Sequence, residues 1–184
     1  MKASDEKDII NNLKEPKTRR KAFEQMVNMY SRTLYWQIRH IVTDHDDTDD
    51  VLQNTFMKAW SNIDSFRGDS KLSTWLYKIA YNESITLLNS RRQTMSIDET
   101  DEDTPTINIA GDSYFDGDET QQLLQEAIDT LPAKQKAVFT MKYYDEMKYE
   151  DMSGITGTSV GALKASYHLA VEKITKYIKK RELD

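Results

Sequence analysis

The sequence predicts an all-α protein made of two helical domains joined by an acidic flexible linker. Three observations carry that prediction. Apolar residues recur at helical spacing through most of residues 18–92 and again from about 121 to 180. No stretch alternates apolar and polar with period two, and β-branched residues are sparse. Between the helical parts, residues 93–120 hold nine acidic side chains, no Lys or Arg, and Pro105, Gly111 and Gly117 without helical periodicity. Such a segment cannot bury enough apolar surface to order itself. The expected organisation is a bundle of three to four helices in 1–92, a tether in 93–120 and a helix-turn-helix domain in 121–184.

Each element has its own signal. Phe23, Met26, Val27, Tyr30, Leu34, Ile38 and Ile41 share one face of a helix over about 18–42. A second helix follows an Asp-rich stretch, with Val51, Leu52, Thr55, Phe56, Ala59, Trp60 and Ile63 as its apolar positions. After a turn at FRGDSK, a third helix carries Leu72, Leu76, Ile79, Ala80, Ile85 and Leu88 and ends at Arg91-Arg92. Ser70 or Ser73 is its expected cap. In the second domain Leu123, Leu124, Ala127, Ile128 and Leu131 form a short amphipathic helix. Pro132 suits the first position of the next, where its missing N–H has no partner to lose. That helix carries Ala137, Val138, Met141 and Tyr144. A short helix at YEDMSGI, a turn at Thr156-Gly157-Thr158 and a long helix from Ser159 to about Lys180 complete a helix-turn-helix layout. On that last helix Val160, Leu163, Val171 and Ile174 are expected inward, and Ser159, Lys164, Ser166, Tyr167, His168 and Lys173 outward.

Composition bounds the chemistry. The 184 residues include no cysteine, which excludes disulfides, thiolate zinc sites, iron–sulfur clusters and a cysteine nucleophile. No apolar run is long enough to span a bilayer, and the charged N-terminus lacks a signal-peptide core, so a cytoplasmic protein without membrane insertion is expected. The net charge of -6 argues, at face value, against nucleic acid. Its distribution reverses that argument. Outside 93–120 and the acidic stretch 44–50, the rest of the chain carries a net charge of +8.

Three clusters invite a functional reading. Residues 44–50 concentrate five carboxylates before a helix, more than capping needs. Either a metal site seeded by His45-Asp46 or an acidic docking face for a basic partner accounts for them. The metal reading is short of ligands, because the chain has only His40, His45 and His168. Second, Trp75, Leu76 and Tyr77 lie about 100° apart on a helix, so the run must turn some aromatic surface outward. An exposed ring beside Arg67, Lys71, Lys78, Arg91 and Arg92 is the chemistry of single-strand binding; a snorkelling tyrosine on a core helix is the alternative. Third, short polar side chains at the start of the last helix suit phosphate and base-edge contacts in a major groove.

These motifs, in this order, resemble an RNA polymerase sigma factor of the extracytoplasmic-function group within the sigma-70 superfamily. DDTDDVLQNTFMKAW resembles the family's region 2.2, and FRGDSKLSTWLYKIAYNESITLLNSRR resembles regions 2.3 and 2.4. LPAKQKAVFTMKYYDEMKYEDMSGITGTSVGALKASYHLAVEKI resembles region 4. The resemblance implies a transcription initiation factor, not an enzyme, that binds core polymerase and confers promoter recognition and melting. It implies no catalytic residue, metal or cofactor. It also implies the partners: the clamp helices and flap of core polymerase, promoter DNA both single-stranded and duplex, and an anti-sigma factor of the kind common in the group.

Carried onto this chain, the resemblance implies a polymerase-docking face of Asp47, Asp50, Gln53, Asn54 and Met57. It implies a minus-ten site at the loop Phe66, Arg67, Gly68, Asp69, Ser70 and Lys71, with Trp75, Tyr77, Lys78 and Asn82 along the strand path. Capturing an unstacked base there offsets part of the melting cost. It implies a minus-thirty-five site of Ser159, Gly161, Ala162, Lys164, Ser166, Tyr167 and His168. The tether would run through the polymerase's active-centre cleft, a plain spacer being the alternative. One departure stands out. Many family members carry an arginine-rich run here, whereas this chain has Lys164-Ala165-Ser166-Tyr167-His168-Leu169-Ala170. Bidentate arginine readout of guanine is absent, which predicts an A/T-leaning upstream element. The residues alone also admit a stand-alone helix-turn-helix regulator or a carboxylate-rich metal hydrolase. The first of these leaves the Asp cluster and the FRGDSK loop without a role.

Overall fold

The structure, a computed structural model, describes residues 3–98 and 119–181, with side chains over 6–91 and 119–181. Most of the predicted tether lies outside the described residues. Those described contain helices and no strand. In chain order they are α1 (Ala3–Lys14), α2 (Arg19–Val42), α3 (His45–Ser61), a 3-10 turn (Ile63–Ser65), α4 (Leu72–Asp98), α5 (Glu119–Asp129), α6 (Ala133–Tyr143), α7 (Tyr149–Thr156) and α8 (Val160–Arg181). Two compact units result: residues 1–84 with 154–157, and 85–153 with 158–184.

In the first unit α2 is the central element, packed against α1 and α3. Ala22, Met26, Tyr30, Leu34, Ile38 and Ile41 are buried at steps of three or four along one face, and Arg39 and Val42 widen the buried stripe near its end. Phe23 and Val27, predicted on that face, lie at its half-buried edge. Helix α1 was not legible: its sequence is mostly polar, and among its described side chains the buried ones are Ile9 and Leu13. Arg19 closes the α1–α2 junction. Its Nε donates to the Leu13 carbonyl at 3.0 Å, satisfying an acceptor left over at the helix end, and its Nη2 pairs with Asp64 at 2.6 Å.

Helix α3 starts within the acidic stretch. Asp44 is its N-cap and accepts the Asp47 N–H at 2.9 Å, while Asp46 and Asp47 occupy the first turn. Helix α4 runs to Asp98, six residues past its predicted end at Arg92. Residues 93–98 contain no Pro or Gly, and extending an existing helix costs little once it is nucleated.

In the second unit α8 packs against α5 and α6. Ala127, Ile128 and Leu131 meet Phe139, Ala170 and Ile174 in one buried cluster, with Leu124, Tyr167, Tyr177 and Ile178 around it. The inward stripe of α8 is therefore Leu163, Ala170 and Ile174. Val160 is half-buried and Val171 exposed, contrary to expectation. Ala170 is fully buried in that cluster, and the next residue is turned about 100° away from it. Pro132 is the N-cap of α6 rather than its first residue, with φ -56° and ψ 142°. Across that junction Lys136 Nζ reaches Asp129 Oδ1 at 2.6 Å with both side chains buried, and Gln125 donates to the same oxygen at 3.2 Å.

Candidate interfaces for polymerase and promoter

Helix geometry collects the predicted docking residues. Asp47, Asp50, Gln53, Asn54 and Met57 fall within an arc of about 120° on α3. Asp50, Gln53, Asn54 and Met57 are exposed, and Asp47 is half-buried. The opposite face of the helix is anchored by Val51, Thr55 and Ala59. Trp60, expected among the apolar positions, is 44% exposed beside this arc, and Met57 is 60% exposed. The Trp60 ring rests edge-on against Phe23 of α2 at 4.9 Å. Its position three residues after Met57 would have marked it as part of the surface. Together Met57 and Trp60 add apolar area to a polar stripe, a composition suited to protein contact.

The acidic cluster does not converge on a metal. His45 Nδ1 lies 2.8 Å from the Tyr35 hydroxyl and 3.7 Å from Asp49. Among the described residues, no group of three or more His, Asp or Glu side chains is arranged to hold an ion.

The FRGDSK loop is pinned at both ends. Phe66 is buried against Trp75, ring centres 5.1 Å apart, and its N–H donates to the Ile63 carbonyl. At the other end the Leu72 N–H, the first donor of α4, is accepted by Glu6 Oε1 of α1 at 2.8 Å. A serine cap was expected from the local sequence. The carboxylate supplied instead lies 66 residues away in sequence and was invisible to pattern reading. Beneath it, burial first and the Glu6 carboxylate second push the Tyr30 phenol up to about 12, so that it stays protonated.

Between its anchors the loop exposes Arg67, Gly68, Asp69, Ser70 and Lys71. Gly68 adopts φ +84°, a left-handed conformation open to glycine at little cost. A cleft of about 340 Å³ opens beside it, lined by Ile10, Leu13, Lys14, Ile63, Asp64, Phe66 and Arg67. Along α4, Lys78 and Asn82 are exposed and Trp75 is half-buried. Tyr77 is buried, against the expectation that it faces outward. The buried positions of α4 are Leu72, Leu76, Tyr77, Ala80, Tyr81, Ser84 and Ile85. A stripe that wide takes in two adjacent residues, 76 and 77, and leaves Trp75 as the ring at its margin.

The turn before α8 contains Gly157 at φ +70°. Ser159 then starts the helix, its Oγ accepting the Ala162 N–H at 3.3 Å and its carbonyl the Leu163 N–H at 2.9 Å. Ser159, Gly161, Ala162, Lys164 and His168 are exposed. His168 Nε2 lies 3.4 Å from Glu172. Ser166 and Tyr167 are half-buried, and the Tyr167 ring stacks on Phe139 at 5.7 Å, so Tyr167 offers an edge rather than a free side chain. Tyr149, which the sequence did not single out, lies beneath Lys164. Its phenol is raised by burial first and by the neighbouring Tyr167 second.

Comparison with known proteins assigns this architecture. The family model of Sigma-70 region 2 matches residues 26–94, and that of Sigma-70 region 4 matches residues 121–174. The ECF RNA polymerase sigma factor SigW of Bacillus subtilis is 29% identical over 86% of this chain and 89% of its own length. The ECF RNA polymerase sigma-E factor of Haemophilus influenzae is 30% identical over 84% of this chain and 86% of its own. The solved structure of the sigma factor RpoE with the anti-sigma factor NepR from Bartonella quintana is 27% identical, with a TM-score of 0.65 over 86% of this chain and 98% of that one. The metal-hydrolase and stand-alone-regulator alternatives are not favoured by these relatives. The chain belongs to the extracytoplasmic-function group of sigma-70 factors: it is a non-enzymatic transcription initiation factor that binds core RNA polymerase and promoter DNA.

Proposed function

We propose that two domains, 1–92 and 121–184, joined by the tether 93–120, divide the work of initiation. In the first, Asp47, Asp50, Gln53, Asn54 and Met57, extended by Trp60, dock on basic clamp helices of the polymerase. The loop 66–71, with Trp75, Lys78 and Asn82, receives the separated non-template strand of the minus-ten element. The cleft beside Phe66 joins apolar walls to Lys14 and Arg67, which suits an unstacked base and its phosphate. Tyr77 drops out of this surface and serves the core. In the second unit Ser159, Gly161, Ala162, Lys164, Ser166, Tyr167 and His168 read the duplex minus-thirty-five element. A point-charge lysine and short polar groups favour an A/T-leaning sequence.

The observation that carries this reading is the loop itself: five consecutive exposed residues, four of them polar or charged, held between two buried anchors. A loop free to splay bases needs such anchoring. The acidic tether occupies basic channels of the polymerase until transcript displaces it. The factor acts in the bacterial cytoplasm, and the likeness to RpoE bound by NepR supports control by an anti-sigma factor.

The test is transcription in vitro by core polymerase with and without the chain, on promoters selected from a randomised pool. Specific initiation should require the chain. Alanine at Arg67 and Lys71 should block strand opening while leaving polymerase binding intact. Opening at the wild-type rate in that double variant would overturn the assignment of the loop. A G-rich selected upstream consensus would overturn the A/T preference.

A further inference from the structure

We propose that Tyr149 is a positioning residue for promoter recognition: its ring, at the start of α7, holds the Lys164 ammonium of α8 and aims it at the upstream duplex. This rests on the reading of α8 as the duplex-reading helix. Lys164 Nζ lies 5.7 Å from the centre of the Tyr149 ring, and Lys142 Nζ lies 5.2 Å from it. Both distances fall within cation–π range, about 6 Å. Lys142 is fixed, because it also donates to the Met147 carbonyl at 3.1 Å and so closes the α6–α7 connection. Lys164 is exposed and sits on a flexible four-carbon stem. The ring attracts it while the fixed like charge of Lys142 repels it, which narrows the arc it sweeps.

The ring is held in turn. Tyr149 is half-buried and its phenol is close enough to that of Tyr167 for the two to interact electrostatically. Tyr167 stacks on Phe139 with an interplanar angle of 14°, and Phe139 belongs to the buried cluster of the unit. Phe139 thus ties Tyr167 to the core, and the Tyr149 ring, within electrostatic reach of Tyr167, lies under Lys164. This matters here because residues 159–170 contain no arginine. Arginine brings its own rigid planar fork, whereas a lysine must be ordered by its surroundings. A preordered cation loses less freedom on binding.

The test uses holoenzyme reconstituted from the full chain and core polymerase, with a duplex selected by the wild-type holoenzyme. Closed-complex affinity is measured across a salt series for Tyr149→Phe, Tyr149→Leu, Lys164→Met and the Tyr149→Leu/Lys164→Met pair. Loss of the ring should weaken binding by roughly two- to five-fold, the exposed cation–π range converted to an affinity ratio. Tyr149→Phe should bind as wild type. Lys164→Met should lower the salt slope by about 0.9, and adding Tyr149→Leu to it should have no further effect. Pentafluorophenylalanine at position 149 keeps the ring shape but removes its negative face, so it should reproduce the Leu result even where the Leu variant folds poorly. Wild-type binding by the Leu or fluorinated variant overturns the proposal. An equal Leu-variant loss with and without Lys164 also overturns it and makes the ring structural. Lys164→Met binding with an unchanged slope removes the reading of Lys164 as a DNA contact, and the proposal with it.

Discussion

The loop Arg67–Lys71 and the helix α8 expose their polar residues by different means. The loop is fixed at its ends, by buried Phe66 and by the Glu6 cap on Leu72, and everything between them is free to face solvent. The helix is fixed along its length, at Leu163, Ala170 and Ile174, and its exposed residues are those the periodicity leaves over. A loop can therefore offer five neighbours at once, whereas a helix offers an arc. The cost of the loop is dependence on a glycine at φ +84° and on a cap, Glu6, far away in the sequence. The cost of the helix is that Tyr167, counted among the readers, is drawn into the core stack.

Several substitutions break or sharpen this contrast. The largest effect should come from Lys136→Met, which leaves Asp129 buried without its cation and should cost about 3–5 kcal/mol. Denaturant unfolding would register it, and an apolar pair at both positions should recover most of the loss. Next, Tyr77→Ala should destabilise the fold by about 3 kcal/mol, as a large buried ring removed from a packed core does. Trp75→Ala should cost clearly less in stability yet slow open-complex formation, which permanganate footprinting can follow. Equal stability losses from the two would contradict the split between core and margin.

Asp50→Lys carries the logic to α3, whose outward arc is presented in the same way as that of α8. Its stability should change by no more than about 0.5 kcal/mol. Polymerase affinity should fall about tenfold or more, equivalent to ~1.4 kcal/mol, because a like charge now meets a basic partner. The smallest effects should have opposite signs. A Cβ added at Gly68 or Gly161 meets nothing within 4 Å, so only the backbone decides. Gly68→Ala, at φ +84°, should lose about 1 kcal/mol, and Gly161→Ala in α8 should gain up to about 1 kcal/mol. Paired melting curves would settle both.

Much of the fold was legible because helices bury stripes. Met26, Tyr30, Leu34, Ile38 and Ile41 announce α2 through spacing alone, and the acids before α3 announce its start. Helix α1 was not legible, since Ile9 and Leu13 amid mostly polar neighbours are too few to set a period. The interfaces divide along the same line. Asp50, Gln53, Asn54 and Met57 are readable as one arc once α3 is assumed. Trp60 was misread because a tryptophan in a helical pattern is usually core, and only the fit of Phe23 beneath it leaves it half outside.

The sequence by itself determined the helical class, the two domains and the family. All of these depend on local periodicity, on charge distribution and on the order of motifs. The tertiary structure decided which of two nearby residues is the more exposed: Trp75 rather than Tyr77, and Val171 rather than Ala170. It also supplied contacts that no local pattern predicts, Glu6 at Leu72 and Tyr149 under Lys164. Those contacts join residues from different helices, and no pattern within a single helix encodes which other helix will lie against it.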